Sequence, residues 1–192
     1  MSDDLLVDPV ALREQVKDKY RDVALSPHGK HHFHTGRPLA ARLGYNQTVV
    51  DALPDQAVES FAGVGNPFSL RNLVPGEKVV DIGSGAGFDS FIAAGQTTSS
   101  GRVVGIDMTP EMLTKSRQTA RDLQLSHVEF VDGLAELLGA RSNLDRKFHY
   151  IAVDTELFHG ANPICVERDQ RHFFLFLQGI ACGQLGDGGA LG

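Results

Sequence analysis

Between Glu77 and Asp132 short β-branched runs alternate with longer stretches of helical period, and this constrains the chain more than any other feature. "EKVVDIG", "GRVVGIDM" and "HVEFVDG" are apolar runs of strand length, separated by "FDSFIAAG" and "TPEMLTKSRQTARDLQL". A short helical stretch, "LAELLGA", and a fourth run, "FHYIAVD", follow. Such alternation predicts βαβ units, whose right-handed crossovers place helices on both faces of a parallel sheet, so the expected class is α/β. In the second helix Thr109 stands at the N-cap and Pro110 at the first helical position, where its missing N–H costs nothing.

The chain before Pro75 has a different character. "DPVALREQVKDKYRDVA" sets Val10, Leu12, Val16, Tyr20 and Val23 near one helical stripe, with Pro9 in the first turn. A polar, turn-rich stretch, "SPHGKHHFHTGRP", comes next, and then short helical patterns broken by Gly44 and Pro54. We expect a small helical flank or lid over residues 1–70 and a sheet-containing core over residues 71–192. The 192 residues, 42% hydrophobic, suffice for one substantial core with an appendage.

Charge and cysteine usage exclude several classes. A net charge of −6 provides no basic field for tracking a nucleic-acid backbone, so no nucleic-acid partner is expected. Cys165 and Cys182 form no C-x-x-C pair, against both a disulfide framework and a thiolate zinc site. His31, His32 and His34 in "HHFH" lack the cysteines or clustered carboxylates that would complete a metal site, and no metal is expected. The N-terminus is acidic and lacks the pattern of a signal peptide, and no run approaches the ~18 apolar residues of a membrane span. The expectation is a cytoplasmic protein with no membrane partner.

The loop in "VVDIGSGAGFDS" carries glycine at every second position, Gly83, Gly85 and Gly87, between a strand and a helix. Glycine there lets ligand atoms approach the main chain closely. A triphosphate loop requires G-x-x-x-x-G-K-[ST], which is absent. The dinucleotide fingerprint G-x-G-x-x-G would put its third glycine at Phe88, which weakens a nicotinamide-dependent oxidoreductase. Asp107 ends the second run about 20 residues after the loop, where a carboxylate in other adenosine-binding α/β folds accepts from the ribose hydroxyls.

Asp-Ile-Gly-Ser-Gly-Ala-Gly, with Asp81 at the strand end, resembles the first motif of class I S-adenosylmethionine-dependent methyltransferases. "VESFAGVGNPFSL", "PGEKVVDIGSGAGFDSFIAA" and "GRVVGIDMTPEML" together resemble the arsenite-methyltransferase-like branch over roughly residues 11–136. The resemblance implies a Rossmann-like sheet with S-adenosyl-L-methionine as cofactor and a small N-terminal flank over it. It implies cofactor contacts from Asp81, Gly83, Ser84, Gly85 and Gly87, from Asp107 and Met108, and from Leu134, Ala135 and Glu136. Asp81 suits the ammonium of the methionine part, Met108 the adenine face, and "VDGLAE" the adenine edge. Many relatives carry an acid where Leu134 stands, so either the Ala135 main chain or the Glu136 carboxylate compensates or cofactor affinity is reduced.

The resemblance implies less about the acceptor. The branch holds trivalent arsenic with cysteine thiolates, one of them in G-x-G-C-G-N-P, where this chain reads "AGVGNP" with Val64. A second family cysteine follows the fourth strand, where the chain reads "VDTELF". The expected activity is therefore methyl transfer to a small-molecule acceptor other than arsenite, with His34, Asp154 and His159 as candidate bases for an oxygen or nitrogen acceptor. The alternative is a non-catalytic S-adenosylmethionine-binding remnant or scaffold subunit. "ERDQRHFFLFLQGIACGQLGDGGALG" resembles the branch's next helix and turn, with glycines interrupting the helix and Gly188–Gly189 before a fifth strand. The sheet is thus expected to be incomplete at its C-terminal end and to pair with a second copy or partner subunit through an open edge.

Overall fold

The computed structural model describes residues 9–27, 29, 34–133, 149–151, 165–168 and 171–174. Helix α1 (Pro9–Leu25) opens the flank, followed by α2 (Gly36–Arg42), α3 (Gln47–Asp51) and α4 (Asp55–Val58). The core then alternates β1 (Lys78–Ile82), α5 (Phe88–Thr97), β2 (Arg102–Asp107), α6 (Pro110–Asp122) and β3 (Val128–Asp132). Among the described residues, strand β4 (His149–Ile151) completes a sheet of order β3-β2-β1-β4. All three pairings are parallel, with Asp81 aligned to Gly105 on one side and to Ile151 on the other.

Two of the three expected βαβ crossovers, β1-α5-β2 and β2-α6-β3, are therefore present among the described residues, and the topology is Rossmann-like. Strand order reverses at β1, which has β2 on one side and β4 on the other. In open α/β sheets a ligand crevice forms at the carboxyl ends of strands flanking such a reversal. The glycine loop leaves β1 at that end.

Val79, Val80 and Val103 on β1 and β2 are fully buried, each contributing on the order of 1.5–3 kcal/mol relative to exposure. Leu73, Val79, Ala93, Ala94 and Val103 pack α5 onto the sheet. Ala57, Phe91, Leu113 and Phe130 join α4, α5, α6 and β3. The flank shares this core: Ala40, Tyr45, Val50, Val58 and Phe61 form one cluster with Phe88 and Ile92 of α5. Lys115 of α6 reinforces the contact, donating to Glu59 at 2.9 Å and to the Ser60 hydroxyl at 3.0 Å.

Two local expectations change. Thr109 does occupy the N-cap of α6, with Pro110 at the first position, but its side chain caps nothing there. The Asp107 carboxylate instead accepts from the Thr109 N–H at 2.7 Å, so the acid ending β2 braces the entry to the next helix. Where an interrupted helix was expected, β5 (Cys165–Arg168) and β6 (Arg171–Phe174) pair antiparallel, Cys165 opposite Phe174. Val166, Phe173 and Phe174 are residues that suit a pleated surface better than a short helix. The "LAELLGA" helix and the rest of the C-terminal stretch, including Cys182 and Gly188–Gly189, lie outside the described residues.

Candidate functional site

Gly83, Gly85 and Gly87 all have positive φ, at 74°, 52° and 92°. This winding turns the chain from β1 into α5 and lays the loop against the end of β2. The Gly83 and Ser84 N–H groups donate to the Ile106 carbonyl at 2.7 and 3.0 Å, and the Gly87 N–H donates to the Ser84 carbonyl at 2.8 Å. The Gly85 N–H donates to Asp107 Oδ2 at 2.8 Å. Four loop N–H groups are thus engaged inside the protein. A phosphate cradle needs such donors aimed at its ligand; this loop instead suits a ligand without phosphate.

Space beneath the loop is minimal. A Cβ on Gly87 would lie 2.7 Å from Phe91 and 2.8 Å from Phe130. One on Gly105, in β2 under the loop, would lie 2.5 Å from the Phe130 ring and 2.9 Å from Ser84 Oγ. Gly83 and Gly85, by contrast, are half-buried and form the accessible crest. Helix α1 covers one side: Val23 and Ala24 pack with Ala86 of the loop and Met112 of α6, and Arg21 Nε donates to Glu111 at 2.9 Å.

Two carboxylates stand at the strand ends. Asp81 is 1% exposed; its Oδ2 accepts from the Ser90 hydroxyl at 2.5 Å, while its Oδ1 has no hydrogen-bond partner. Burial raises its pKa to about 7, the Ser90 hydrogen bond opposes the rise, and the neighbouring Asp107 charge adds to it. Asp107 is also buried, and burial raises its pKa against the hydrogen bonds from Thr109, Gly85 and Met108. Ser84 Oγ, also buried, is a second polar atom without a partner. Met108, next to Asp107, is half-buried.

The structure thus brings Asp81, Gly83, Ser84, Gly85, Gly87, Asp107 and Met108 together at one end of the sheet. His34 is exposed, at the start of the segment leading into α2. Leu134, Ala135, Glu136, Asp154, His159, His31 and His32 lie outside the described residues. Among the described residues no group of three or more His, Cys, Asp or Glu is placed to hold a metal. No described helix is long and apolar enough to cross a membrane.

Sequence reasoning missed three contributors, Ser90, Tyr45 and Asp89. Ser90 is the partner of Asp81. Tyr45 places its hydroxyl 2.8 Å from Asp89 Oδ1 and 3.0 Å from the Gly65 carbonyl, linking the flank, the "AGVGNP" segment and the first turn of α5. The signal was present in "FDSFIAA": two adjacent polar residues starting an otherwise apolar helix are buried, and buried polar groups require partners.

The donor set fits S-adenosylmethionine. An unpartnered, buried carboxylate oxygen costs free energy unless a donor reaches it, and an ammonium supplies one. The Asp107 carboxylate, held by the Gly85 and Thr109 N–H groups, is an acceptor of the kind a ribose hydroxyl needs.

A family model described as a methyltransferase domain matches residues 73–183. The arsenite methyltransferase of Halobacterium salinarum is 36% identical over 137 residues, which cover 64% of this chain and 35% of that protein. A demethylmenaquinone methyltransferase of Bacillus cereus is 28% identical over 127 residues, 57% of this chain and 52% of that one. Among solved structures, an arsenic(III) S-adenosylmethionine methyltransferase from Chlamydomonas reinhardtii aligns at 32% identity with a TM-score of 0.48, covering 55% of this chain and 37% of that one. The chain spans little more than a third of the arsenite methyltransferases it matches. By its matching domain, carried on a Rossmann-like sheet, the chain belongs to the methyltransferase-domain family.

Proposed function

We propose that this chain binds S-adenosylmethionine at the carboxyl ends of β1 and β2 and transfers its methyl group to a small-molecule acceptor. The observation that carries the reading is the buried Asp81 carboxylate with one oxygen unpartnered, beside a loop whose N–H groups are already engaged. In this reading Asp81 holds the ammonium, Gly83 and Gly85 let the methionine part approach the main chain, Asp107 accepts from the ribose hydroxyls, and Met108 packs on the adenine. The cofactor supplies an activated methyl group on a sulfonium. The protein's own contribution is positioning, which suits an in-line displacement by a nucleophile held in the right geometry.

The acceptor is read as a small molecule other than arsenite. Val64 stands at the position of the family's first thiolate, 44% exposed, and a valine cannot ligate trivalent arsenic. The similarity of the relatives supports methyl transfer and leaves the acceptor open, because they include both arsenite and demethylmenaquinone methyltransferases.

Isothermal titration with S-adenosylmethionine and S-adenosylhomocysteine tests the binding half. Heat with both supports the reading, and none with either in folded protein sinks it. A tritiated-methyl screen over small acceptors tests the other half. Turnover with one acceptor separates an enzyme from a cofactor-binding remnant, and arsenite is expected to give none above background.

A further inference from the structure

Asp81 and Asp107 form a pair of buried carboxylates held almost wholly by neutral donors. Asp81 has the Ser90 hydroxyl of α5, and Asp107 has the N–H groups of Gly85 and Thr109. Among the described residues no lysine or arginine pairs with either. Arg21 is bound to Glu111 and Asp18, and Lys115 to Glu59 and Ser60. Among the described residues, the titratable groups linked to Asp81 besides Asp107 are Tyr45 and Asp89, which bond one another; the Asp81 charge is one cause of the raised Tyr45 pKa. On the sheet, Asp81 aligns with Gly105 and Ile151, neither of which titrates.

Two neighbouring carboxylates in low dielectric cannot both ionise cheaply without a cation, so one holds a proton until a cation arrives. Asp81 is the better holder. Each Asp107 oxygen accepts a backbone N–H, which favours its charged form, whereas one Asp81 oxygen has no donor.

We propose that the ligand-free protein carries a proton on the Asp81–Asp107 pair, resident on Asp81, and that binding of the cofactor's ammonium expels it to solvent. The proposal rests on the cofactor reading above. The balance is simple: the neutral carboxylic acid loses its proton to buffer, and the carboxylate takes the ammonium as its counter-ion. Affinity then rises with pH as the acid form, whose pKa lies at about 7, is depleted. Ser90 acts as a positioning residue that tunes this exchange, because its hydroxyl favours the charged form.

The experiment is titration calorimetry of the whole chain with S-adenosylhomocysteine, which carries the ammonium without the sulfonium. It is run in buffers of different ionisation enthalpy from pH 5.5 to 7, below the range near 7.7–8.0 where an α-ammonium itself titrates. With a pair pKa of about 7, release of about one proton is expected at pH 6 and about half a proton at pH 7, with affinity rising roughly tenfold over the range. Asp81→Asn should abolish the release. Ser90→Ala, a smaller change, should move the midpoint of the affinity profile to higher pH, a shift that a purely structural role for Ser90 would not produce. Identical heats in all buffers with a flat affinity profile overturn the proposal while leaving cofactor binding intact, and so does full proton release in Asp81→Asn. No heat at any pH overturns both it and the cofactor reading.

Discussion

Two short loops face the same end of the sheet and are built on opposite principles. The loop Gly83–Gly87 holds three positive-φ glycines, turns its N–H groups inward, and stands over two buried carboxylates. The segment Ala62–Pro67 exposes Val64 and is tied to the core through its Gly65 carbonyl, which faces the Tyr45 hydroxyl at 3.0 Å. Behind that hydroxyl lies an aromatic cluster, with the Tyr45 ring 5.0 Å from Phe88 and 5.4 Å from Phe61, and Phe61 4.1 Å from Phe88. One loop is shaped by backbone conformation and charge, the other by apolar packing under an exposed tip. The first arrangement suits a fixed ligand common to a family, and the second tolerates a change of tip residue such as Val64.

The largest expected difference between the two regions is in their response to pH. The folded state retains a proton on Asp81 up to about pH 7, whereas the unfolded chain releases it near 3.8. The folded form therefore binds more protons in that window, and this group lowers stability by roughly 1 kcal/mol per pH unit as pH rises, levelling off above about 7. The raised pKa of Asp107 acts in the same direction. Tyr45 contributes nothing here, because burial, with Asp89 second, pushes its phenol well above its ordinary value and it stays neutral. Urea denaturation at pH 5, 6 and 7 should show the slope in the ligand-free protein, with Asp81→Asn flattening it. A profile unchanged by that substitution would break the contrast.

Next in size is glycine replacement. Gly87→Ala must place a Cβ within 2.7 Å of Phe91 at a φ of 92° and should cost about 3 kcal/mol or more, summing backbone strain and overpacking. Gly65→Ala meets nothing within 4 Å and should stay within about 0.5 kcal/mol. Denaturant midpoints of the two variants measure this directly, and similar losses would mean that the loops are equally constrained.

Asp107→Ala removes the acceptor for Gly85 and Thr109 and, in the proposed function, the ribose contact. Cofactor affinity should fall by about 1–3 kcal/mol, read by calorimetry, through donors left unpaired. Asp107→Asn keeps one acceptor oxygen and should fall between it and the parent.

The core of the fold was legible because strand and helix periodicities alternate within short range, and β1, α5, β2, α6 and β3 all fall where the sequence places them. The glycine loop and Asp107 were legible as types at a spacing. Their orientation was not, since the Gly85 N–H meets Asp107 only after two strands pair, 22 residues apart. Tyr45 meets Asp89 across 44 residues, a distance at which no local pattern gives warning. The β5–β6 pair was missed because a family pattern suggested a helix where the chain's own Val166, Phe173 and Phe174 favour strand.

Tyr45→Phe sharpens the comparison further. It keeps the ring contacts with Phe61 and Phe88 and deletes the hydroxyl shared with Asp89 and the Gly65 carbonyl. The expected loss is about 1–2 kcal/mol, a buried hydrogen bond to a carboxyl group. Amide exchange at residues 62–67 should quicken while the glycine loop is unaffected. Faster exchange in both would show that Tyr45 supports the glycine loop as well.

The smallest effect is expected at the exposed tip. Val64→Cys exchanges a side chain on a residue that is 44% exposed and absent from the apolar clusters, so stability should change by no more than about 0.5 kcal/mol. In the proposed function a cysteine there supplies one thiolate of the kind that a soft centre prefers. One thiolate without its partner should bind trivalent arsenic only weakly, so arsenite methylation should remain at background while cofactor affinity is unchanged. Thiol-dependent methylation of arsenite by this single variant would mean that the described framework already supplies the rest of an arsenic site. The tip would then decide the acceptor by itself.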